Sequence, residues 1–209
     1  MAQISAIKME VLPHLPSCPQ PLVEDAILKV IIDFCNRSRA YRLTTSDIPV
    51  TVGTATYAVD DLPGKTAIAW LLSAELDGAP LDTSDSGTLP LSWDTESGAV
   101  TACVVVSDTE IGLRKVPIDS GMLRARLALR PTLNATTYPD ELHNLYQEVI
   151  AAGVLAKLFA HPNKPWSMPG MVKDCRDRFE AGITAAEFRA DKGSANSPSR
   201  TAPCFIGGR

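Results

Sequence analysis

The sequence of 209 residues predicts an α+β fold, in which a small three-helix bundle carries a β-rich module between its first and second helices and an extended tail at its C-terminus. Two observations support this fold class. Apolar residues recur every three or four positions in residues 21–43 and again in residues 138–191, which is typical of amphipathic helices. Between them, residues 46–132 alternate apolar and polar side chains, as half-buried strands do. Because one helix of about 20 residues cannot bury its apolar stripe alone, we expect the first helix to pack with the later two.

Composition and charge argue against a general nucleic-acid binder and against a membrane protein. The net charge is −4 at pH 7, whereas general nucleic-acid binders are usually basic. From Asp60 to Glu110 there are ten acidic residues and one basic residue, Lys65, so this region would repel phosphate. No apolar run is long enough to cross a bilayer, and the N-terminus lacks the basic start and continuous apolar segment of a signal peptide. We therefore expect no membrane association and no export by the standard route.

Residues 1–20 form a proline-rich lead-in, with Pro13, Pro16 and Pro19 at every third position. Proline has no backbone N–H group and restricts the backbone before it, so closely spaced prolines disfavour regular helix. The spacing predicts an extended arm or a loop over the whole lead-in.

The first predicted helix covers residues 21–43. Pro21 suits the first turn of a helix, and Glu24 and Asp25 suit the positive end of the helix dipole. The apolar stripe comprises Val23, Ala26, Ile27, Val30, Ile31 and Phe34. Arginines cluster at the other end of the segment, at Arg37, Arg39 and Arg42. Cations are favoured at a helix C-terminus for electrostatic reasons alone, but the same side chains are suited to bind phosphate or a partner's carboxylates.

The predicted β-module covers residues 46–132 and contains about seven short strands, enough for a small sandwich or barrel-like sheet. Asp77-Gly78 is a strong hairpin signal, and Ser97-Gly98 is predicted to be a second turn. In the last strand, one face is apolar and consists of Leu123, Ala125, Leu127 and Leu129. The opposite face carries Arg124, Arg126 and Arg130. Those arginines are either a solvated face or a contact with an acidic surface on a neighbouring subunit.

Two further helices are predicted within residues 138–191. Pro139 takes the first helical position of the earlier one, as proline often does. Gly153 lies in the middle of its apolar stripe, where glycine costs about 1 kcal/mol relative to alanine. We expect this cost to be offset by the close approach of another helix.

The sequence contains no recognisable catalytic or metal-binding constellation. The five cysteines are scattered, the three histidines are isolated from them, and nucleotide-binding, hydrolase and metalloprotease motifs are absent. Cys35 and Cys175 fall on apolar helix faces, where free, buried thiols are expected. We therefore predict no catalytic residue, no metal and no cofactor.

The C-terminal segment, residues 192–209, is polar and contains proline, with three basic residues and no acid. Near its end lies an apolar cluster, Cys204-Phe205-Ile206. A flexible polar segment of this kind can bind by ordering on a partner, although termini are often simply disordered.

Three stretches of the chain resemble the head-to-tail adaptor (connector) proteins of tailed bacteriophages. The first is Cys18-Pro19 followed by a helix that contains Phe34-Cys35, Ser38 and Tyr41. The second is the helix that leads to a loop ending in Lys164-Pro165-Trp166. The third is the last helix, with Phe179, Gly182 and Ala186. The resemblance covers about 80 residues of the helical parts, whereas the β-module and the tail match only in general character.

This resemblance implies a structural virion protein and not an enzyme. It would form a homo-oligomeric ring, typically of twelve copies, in the neck between head and tail after assembly in the host cytoplasm. Its partners would be the portal protein above, the next tail or neck protein below, and double-stranded DNA only in transit through the lumen.

The resemblance also assigns candidate contact residues. The C-terminal segment would be a portal-docking arm, with Arg200, Pro203, Phe205, Ile206 and Arg209 as its contacts. Further candidates for subunit or portal contacts are Arg37, Arg39, Arg42, Arg124, Arg126, Arg130 and Trp166. Two alternatives stay open: another ring component of the neck, such as a stopper or tail terminator, or a small soluble hydrolase or binding module.

Overall fold

The computed structural model describes residues 2–83 and 92–192, and within them it confirms the α+β class. Four α-helices and a curled β-sheet make up this part of the chain. The helices are α1 (Ile4–Val11), α2 (Gln20–Ser38), α3 (Asp140–Phe159) and α4 (Pro169–Lys192). All four contribute to one apolar core, and a second core lies within the sheet.

Most of the strands lie between α2 and α3 along the chain. Those of the curled sheet are β2 (Arg42–Thr44), β3 (Ile48–Val50), β4 (Thr56–Ala58), β5 (Thr66–Leu76), β6 (Ala79–Thr83), β8 (Ala102–Val105), β9 (Glu110–Leu113) and β11 (Gly121–Pro131). Two short pairs lie outside it: β7 (Ser97–Gly98) with β10 (Val116–Pro117), and β1 (Ala2–Gln3) with β12 (Thr137–Tyr138). The β1–β12 pair joins the chain start to the entry of α3.

The helices α2, α3 and α4 meet where glycine lets them approach. A Cβ atom on Gly153 of α3 would lie 2.7 Å from a ring carbon of Phe179 in α4 and 2.8 Å from a methyl of Val30 in α2. Gly182 of α4 would likewise collide with Val149 of α3. Carbon atoms normally stay about 3.5–4.0 Å apart. The expected role of Gly153, close helix packing, is therefore confirmed.

The lead-in is not an extended arm or a loop throughout, because residues Ile4–Val11 form α1. The prolines do not prevent this helix, since the first of them, Pro13, lies beyond its end in a short 3-10 turn, Leu12–His14. Ile4, Ile7 and Val11 are buried on one face of α1 and join the helical core. The structure thus has a fourth helix that the predicted bundle lacked.

The first long helix is also shorter than predicted, since α2 ends at Ser38 and not at residue 43. Arg39 takes a left-handed conformation (φ 52°), and its N–H group bonds to the carbonyl of Cys35. A residue of this conformation is a common helix stop. The chain then enters β2 at Arg42, so Leu43 belongs to the sheet, whereas Ala40 still packs against the helical core.

The sheet curls back on itself, so that β5 also approaches the connection between β8 and β9. The strand order is β2-β11-β5-β6-β8-β9-β4, and β3 also pairs with β11. The Ile68 N–H group of β5 donates to the carbonyl of Asp108, between β8 and β9, at 2.7 Å. The predicted Asp77-Gly78 hairpin is confirmed, with both residues at positive φ between β5 and β6. The predicted Ser97-Gly98 turn is wrong, since these residues pair as β7 with β10.

Strand β11 has the predicted apolar face, which points into the sheet core: Leu123, Ala125, Leu127 and Leu129 are at most 1% exposed. Its other face is covered in part by α2, so Ala128 is fully buried there as well. The neighbouring Trp70 of β5 donates through Nε1 to the carbonyl of Asn36 at 2.8 Å. This bond fixes the end of α2 to the sheet.

Candidate interaction surfaces

The arginine end of α2 is used within the chain. Both terminal nitrogens of Arg37 donate to the carboxylate of Glu180 in α4, and Asp33 lies 3.5 Å from the same guanidinium. The hydrogen bond from Arg37 lowers the pKa of Glu180 and, reciprocally, raises the pKa of Arg37. Arg37 therefore joins two helices, and only part of its side chain faces solvent.

Arg42 and Arg39 connect the same corner to α4 and to the sheet. Arg42 donates to Asp191 at 2.7 Å and to the carbonyl of Arg39 at 3.0 Å. The guanidinium carbon of Arg39 lies 4.8 Å from the centre of the Trp70 ring, a cation–π arrangement. Sequence reasoning placed these arginines together but missed Trp70, which looked like any aromatic residue of a strand.

The arginines of β11 lie on the face predicted for them, and two of the three have partners within the chain. Arg124 is 2.8 Å from Asp47 and Arg130 is 3.0 Å from Asp108. Arg126 is exposed and forms no ion pair with a residue that the structure describes. Among the three arginines of this strand, Arg126 is therefore the best candidate to pair with a carboxylate of an external partner.

Trp166 lies in the loop between α3 and α4 and is 6% exposed, packed into the helical core. Its indole N–H group has no hydrogen-bond partner within the described residues. In a single chain the side chain of Trp166 therefore exposes little surface to a partner. The five candidate contacts of the C-terminal segment, Arg200, Pro203, Phe205, Ile206 and Arg209, lie outside the described residues.

A groove of about 520 Å³ lies between the start of the chain, the first half of α2 and the loop that precedes β12. We call it the N-terminal groove; its lining is Gln3, Ile4, Ser5, Glu24, Asp25, Leu28, Leu133, Ala135, Thr136 and Thr137. Leu133 is 68% exposed at its edge. The groove thus combines apolar side chains with two carboxylates. Sequence reasoning missed it because it depends on the unexpected helix α1.

A second exposed apolar feature is the end of α4, which we call the α4 tip and define as Phe188, Arg189 and Lys192. Phe188 is 59% exposed, and the ammonium of Lys192 lies 4.0 Å from the centre of its ring. Arg189 lines a shallow pocket beside Leu145 of α3. The acidic residues Glu187 and Asp191 lie in the same stretch, so the α4 tip is apolar at Phe188 and carries charges of both signs around it.

The described residues were predicted to hold no metal, and two of the cysteines were predicted to be buried and free. The described part of the chain contains no group of three or more histidine, cysteine or acidic side chains placed to hold a metal, and no described helix is long and apolar enough to span a membrane. Cys18, Cys35, Cys103 and Cys175 are free and buried, as expected for the two that were predicted. Burial raises the pKa of Cys35 and Cys103 to about 12, which keeps these thiols protonated and unreactive.

The family model described as SU10 adaptor protein matches residues 4–202. The chain belongs to this family. The resemblance to tailed-phage head-to-tail adaptors is thereby confirmed, and the adaptor is a phage virion component of a structural family. No curated protein is significantly similar to the chain.

Proposed function

We propose that the protein is the ring-forming adaptor of the virion neck, with twelve copies joining the portal to the next tail component. The observation that carries this proposal is the family match, which extends over residues 4–202 and so includes the β-module and most of the C-terminal segment. By contrast, the resemblance noted from the sequence alone covers only the helical parts of the chain.

The presence of two separate cores supports different roles in the ring for the helices and for the inserted β-module. Because each core is closed within one chain, both regions can present surface side chains to neighbours without unfolding. We propose that the helices pack side by side around the ring. The β-module then adds contacts between subunits, for which Arg126 is the candidate with unused charge.

The acidity of the β-module supports passage of the genome without binding. Of the ten acidic residues from Asp60 to Glu110, those described by the structure are exposed, except the half-buried Glu110. Carboxylates repel DNA phosphate at short range, within about 10 Å at 0.1 M salt. A lumen lined by this module would let DNA pass without holding it.

The C-terminal segment is proposed to dock on the portal through its apolar and basic end. Removal of residues 194–209 should leave the thermal unfolding of the protein unchanged and weaken its binding to purified portal. Phe205→Asp should weaken portal binding too, because burying a phenylalanine is worth about 1.5–3 kcal/mol, repeated around the ring.

Ser199→Asp adds the same charge to the same segment without removing an apolar side chain, and it is the matched control for Phe205→Asp. Binding of the shortened protein to portal as tightly as the full chain would show that the arm is not the docking element.

Native mass spectrometry of the purified chain, alone and with portal, tests the ring itself. A closed oligomer, formed alone or on the portal, is expected. A protein that joins only after another adaptor has bound would be a stopper. A monomer that binds no portal and hydrolyses a substrate would be an enzyme.

A further inference from the structure

We propose that Arg39, Trp70 and Arg126 form a site that binds the carboxylates of an acidic segment of a neighbouring protein. We call it the arginine–tryptophan site, and it lies where the end of α2 meets the sheet. The inference rests on the proposed function, since the neighbour is another protein of the virion neck, and it adds the chemistry that this neighbour presents.

The ion pairs of this region single out two of its arginines. Six arginines lie around the end of α2 or on β11: Arg37, Arg39, Arg42, Arg124, Arg126 and Arg130. Four of these each pair with a carboxylate of the described residues. Arg39 and Arg126 form no ion pair with a residue that the structure describes. Their charge is therefore left for an external partner.

The register of the sheet places Arg126 near Trp70. Ala128 of β11 lies directly opposite Trp70 of β5, so both side chains are on the face that α2 covers in part. Arg126 is two residues away from Ala128 and shares this face, because the side chains of a strand alternate. Diagonal neighbours of this kind lie about 7–8 Å apart, within reach of long side chains. Both unpaired arginines are therefore neighbours of one aromatic ring.

Arg39 is held in position before any partner binds. Its guanidinium carbon lies 4.8 Å from the centre of the Trp70 ring, and the hydrogen bond to the carbonyl of Asn36 fixes that ring in turn. The Nε atom of Arg39 is buried and has no hydrogen-bond partner among the described residues, so a partner must be bound through the terminal nitrogens. A side chain that is already ordered loses less conformational entropy on binding.

The composition of the site indicates that it binds carboxylates. The planar guanidinium of arginine binds a carboxylate through two parallel hydrogen bonds and also stacks on aromatic rings. Trp70 is 43% exposed, so its ring offers apolar surface to the CH₂ groups of a glutamate side chain. Tryptophan and arginine are enriched among the residues that dominate binding energy at protein interfaces.

Carboxylates beside the site argue against nucleic acid as its ligand. Asp191 pairs with Arg42, and Glu75 lies opposite Arg124 on the face that carries Arg126. Double-stranded DNA carries one charge per about 1.7 Å of its length, so it would bring further phosphates against these carboxylates. A protein segment can instead place a single carboxylate at Arg39 and avoid them.

Fluorescence polarisation of a labelled peptide, Gly-Glu-Leu-Glu-Gly, with the full chain tests the site. Arg39→Asn removes the charge and keeps a residue type that tolerates the left-handed conformation at this position. It should weaken binding about tenfold, the loss of a hydrogen bond to a charged group. Arg126→Gln should weaken binding about threefold, since its ion pair would be exposed. The neutral peptide Gly-Gln-Leu-Gln-Gly should not bind.

The matched control is Arg114→Gln. Arg114 is exposed and forms no ion pair with a described residue, but it follows β9 and is not part of the site. Its removal should leave peptide binding unchanged, because charge is screened within about 10 Å at 0.1 M salt. Glu75→Gln should strengthen binding, because it removes a carboxylate that repels the peptide near Arg126. Unchanged melting temperatures check that all four variants remain folded.

Three results would overturn the site. They are an acidic peptide that does not bind the original chain, equal losses in Arg39→Asn and Arg114→Gln, and binding of decathymidylate as tightly as the acidic peptide, which would make the ligand a nucleic acid. If any of these occurs while native mass spectrometry shows rings, the site is wrong and the proposed function stands. If Arg39→Asn and Arg126→Gln weaken peptide binding but no ring forms, alone or with portal, the site stands and the proposed function fails.

Discussion

Gly153→Ala tests the packing of the helical core more directly than any other single substitution. The added methyl group has two opposing effects. Alanine is the better helix former, by about 1 kcal/mol in an exposed position. The same methyl would lie 2.7 Å from a ring carbon of Phe179 and 2.8 Å from a methyl of Val30, well inside normal contact distance.

The steric effect should dominate because neither neighbour can move away easily. Phe179 and Val30 are only 7% and 6% exposed, and the Phe179 ring already packs near the ring of Phe34, at 6.5 Å between centres. Overpacking a core typically costs about 1–3 kcal/mol. Because the added methyl group meets two such neighbours, the upper part of this range applies, and after subtraction of the gain in helix propensity we expect a loss of about 1–2 kcal/mol. For a domain of this size that is a fall in melting temperature of about 2–8 °C.

Thermal and urea unfolding followed by circular dichroism measure the effect, with Gly170→Ala as the matched control. Gly170 lies at the start of α4, and nothing lies within 4 Å of a Cβ placed there, so this variant should be neutral or slightly stabilised. Combining Gly153→Ala with Val30→Ala should cost less than the sum of the two single losses, because the smaller side chain at position 30 makes room for the added methyl group. A Gly153→Ala protein as stable as the original would refute the close approach of the three helices.

Three further predictions concern single side chains. Trp70→Phe removes the hydrogen bond to Asn36 and should cost about 1 kcal/mol, seen as a lower urea midpoint. Glu180→Gln should cost less than about 1 kcal/mol at pH 7, since the pair with Arg37 is exposed. Folding lowers the pKa of Glu180 from its ordinary value of 4.5, so the pair stabilises the protein above pH 4.5 and this contribution is lost as the pH falls through the folded pKa. The difference in stability between Glu180→Gln and wild type should therefore shrink on acidification, and a difference that stays constant would contradict this. Leu127→Ala should cost about 2–5 kcal/mol, and a loss below 1 kcal/mol would contradict its burial.

Much of the secondary structure was predictable because it depends on local periodicity. The apolar stripe that includes Ile27 and Ile31, the alternation in β11 and the Asp77-Gly78 turn each encode a structure through short-range spacing. Gly153 was informative for another reason: a glycine in an apolar helix stripe is unfavourable locally, so it pointed to a long-range contact that the structure contains.

The errors arose where local signals competed or where a site depended on distant parts of the chain. The prolines of the lead-in indicated a segment without helix, although the spacing of Ile4, Ile7 and Val11 is typical of a helix. The end of α2 was missed because Arg39 adopts a left-handed conformation that its residue type rarely signals. The N-terminal groove unites residues more than a hundred positions apart, so no local pattern could indicate it.

Electron microscopy of the purified protein mixed with its portal tests the adaptor role most directly. We expect a second ring attached to the portal, with one copy of this chain for each portal subunit and an open central channel. Portals that stay undecorated when the protein is in excess, while the protein itself remains folded, would contradict it.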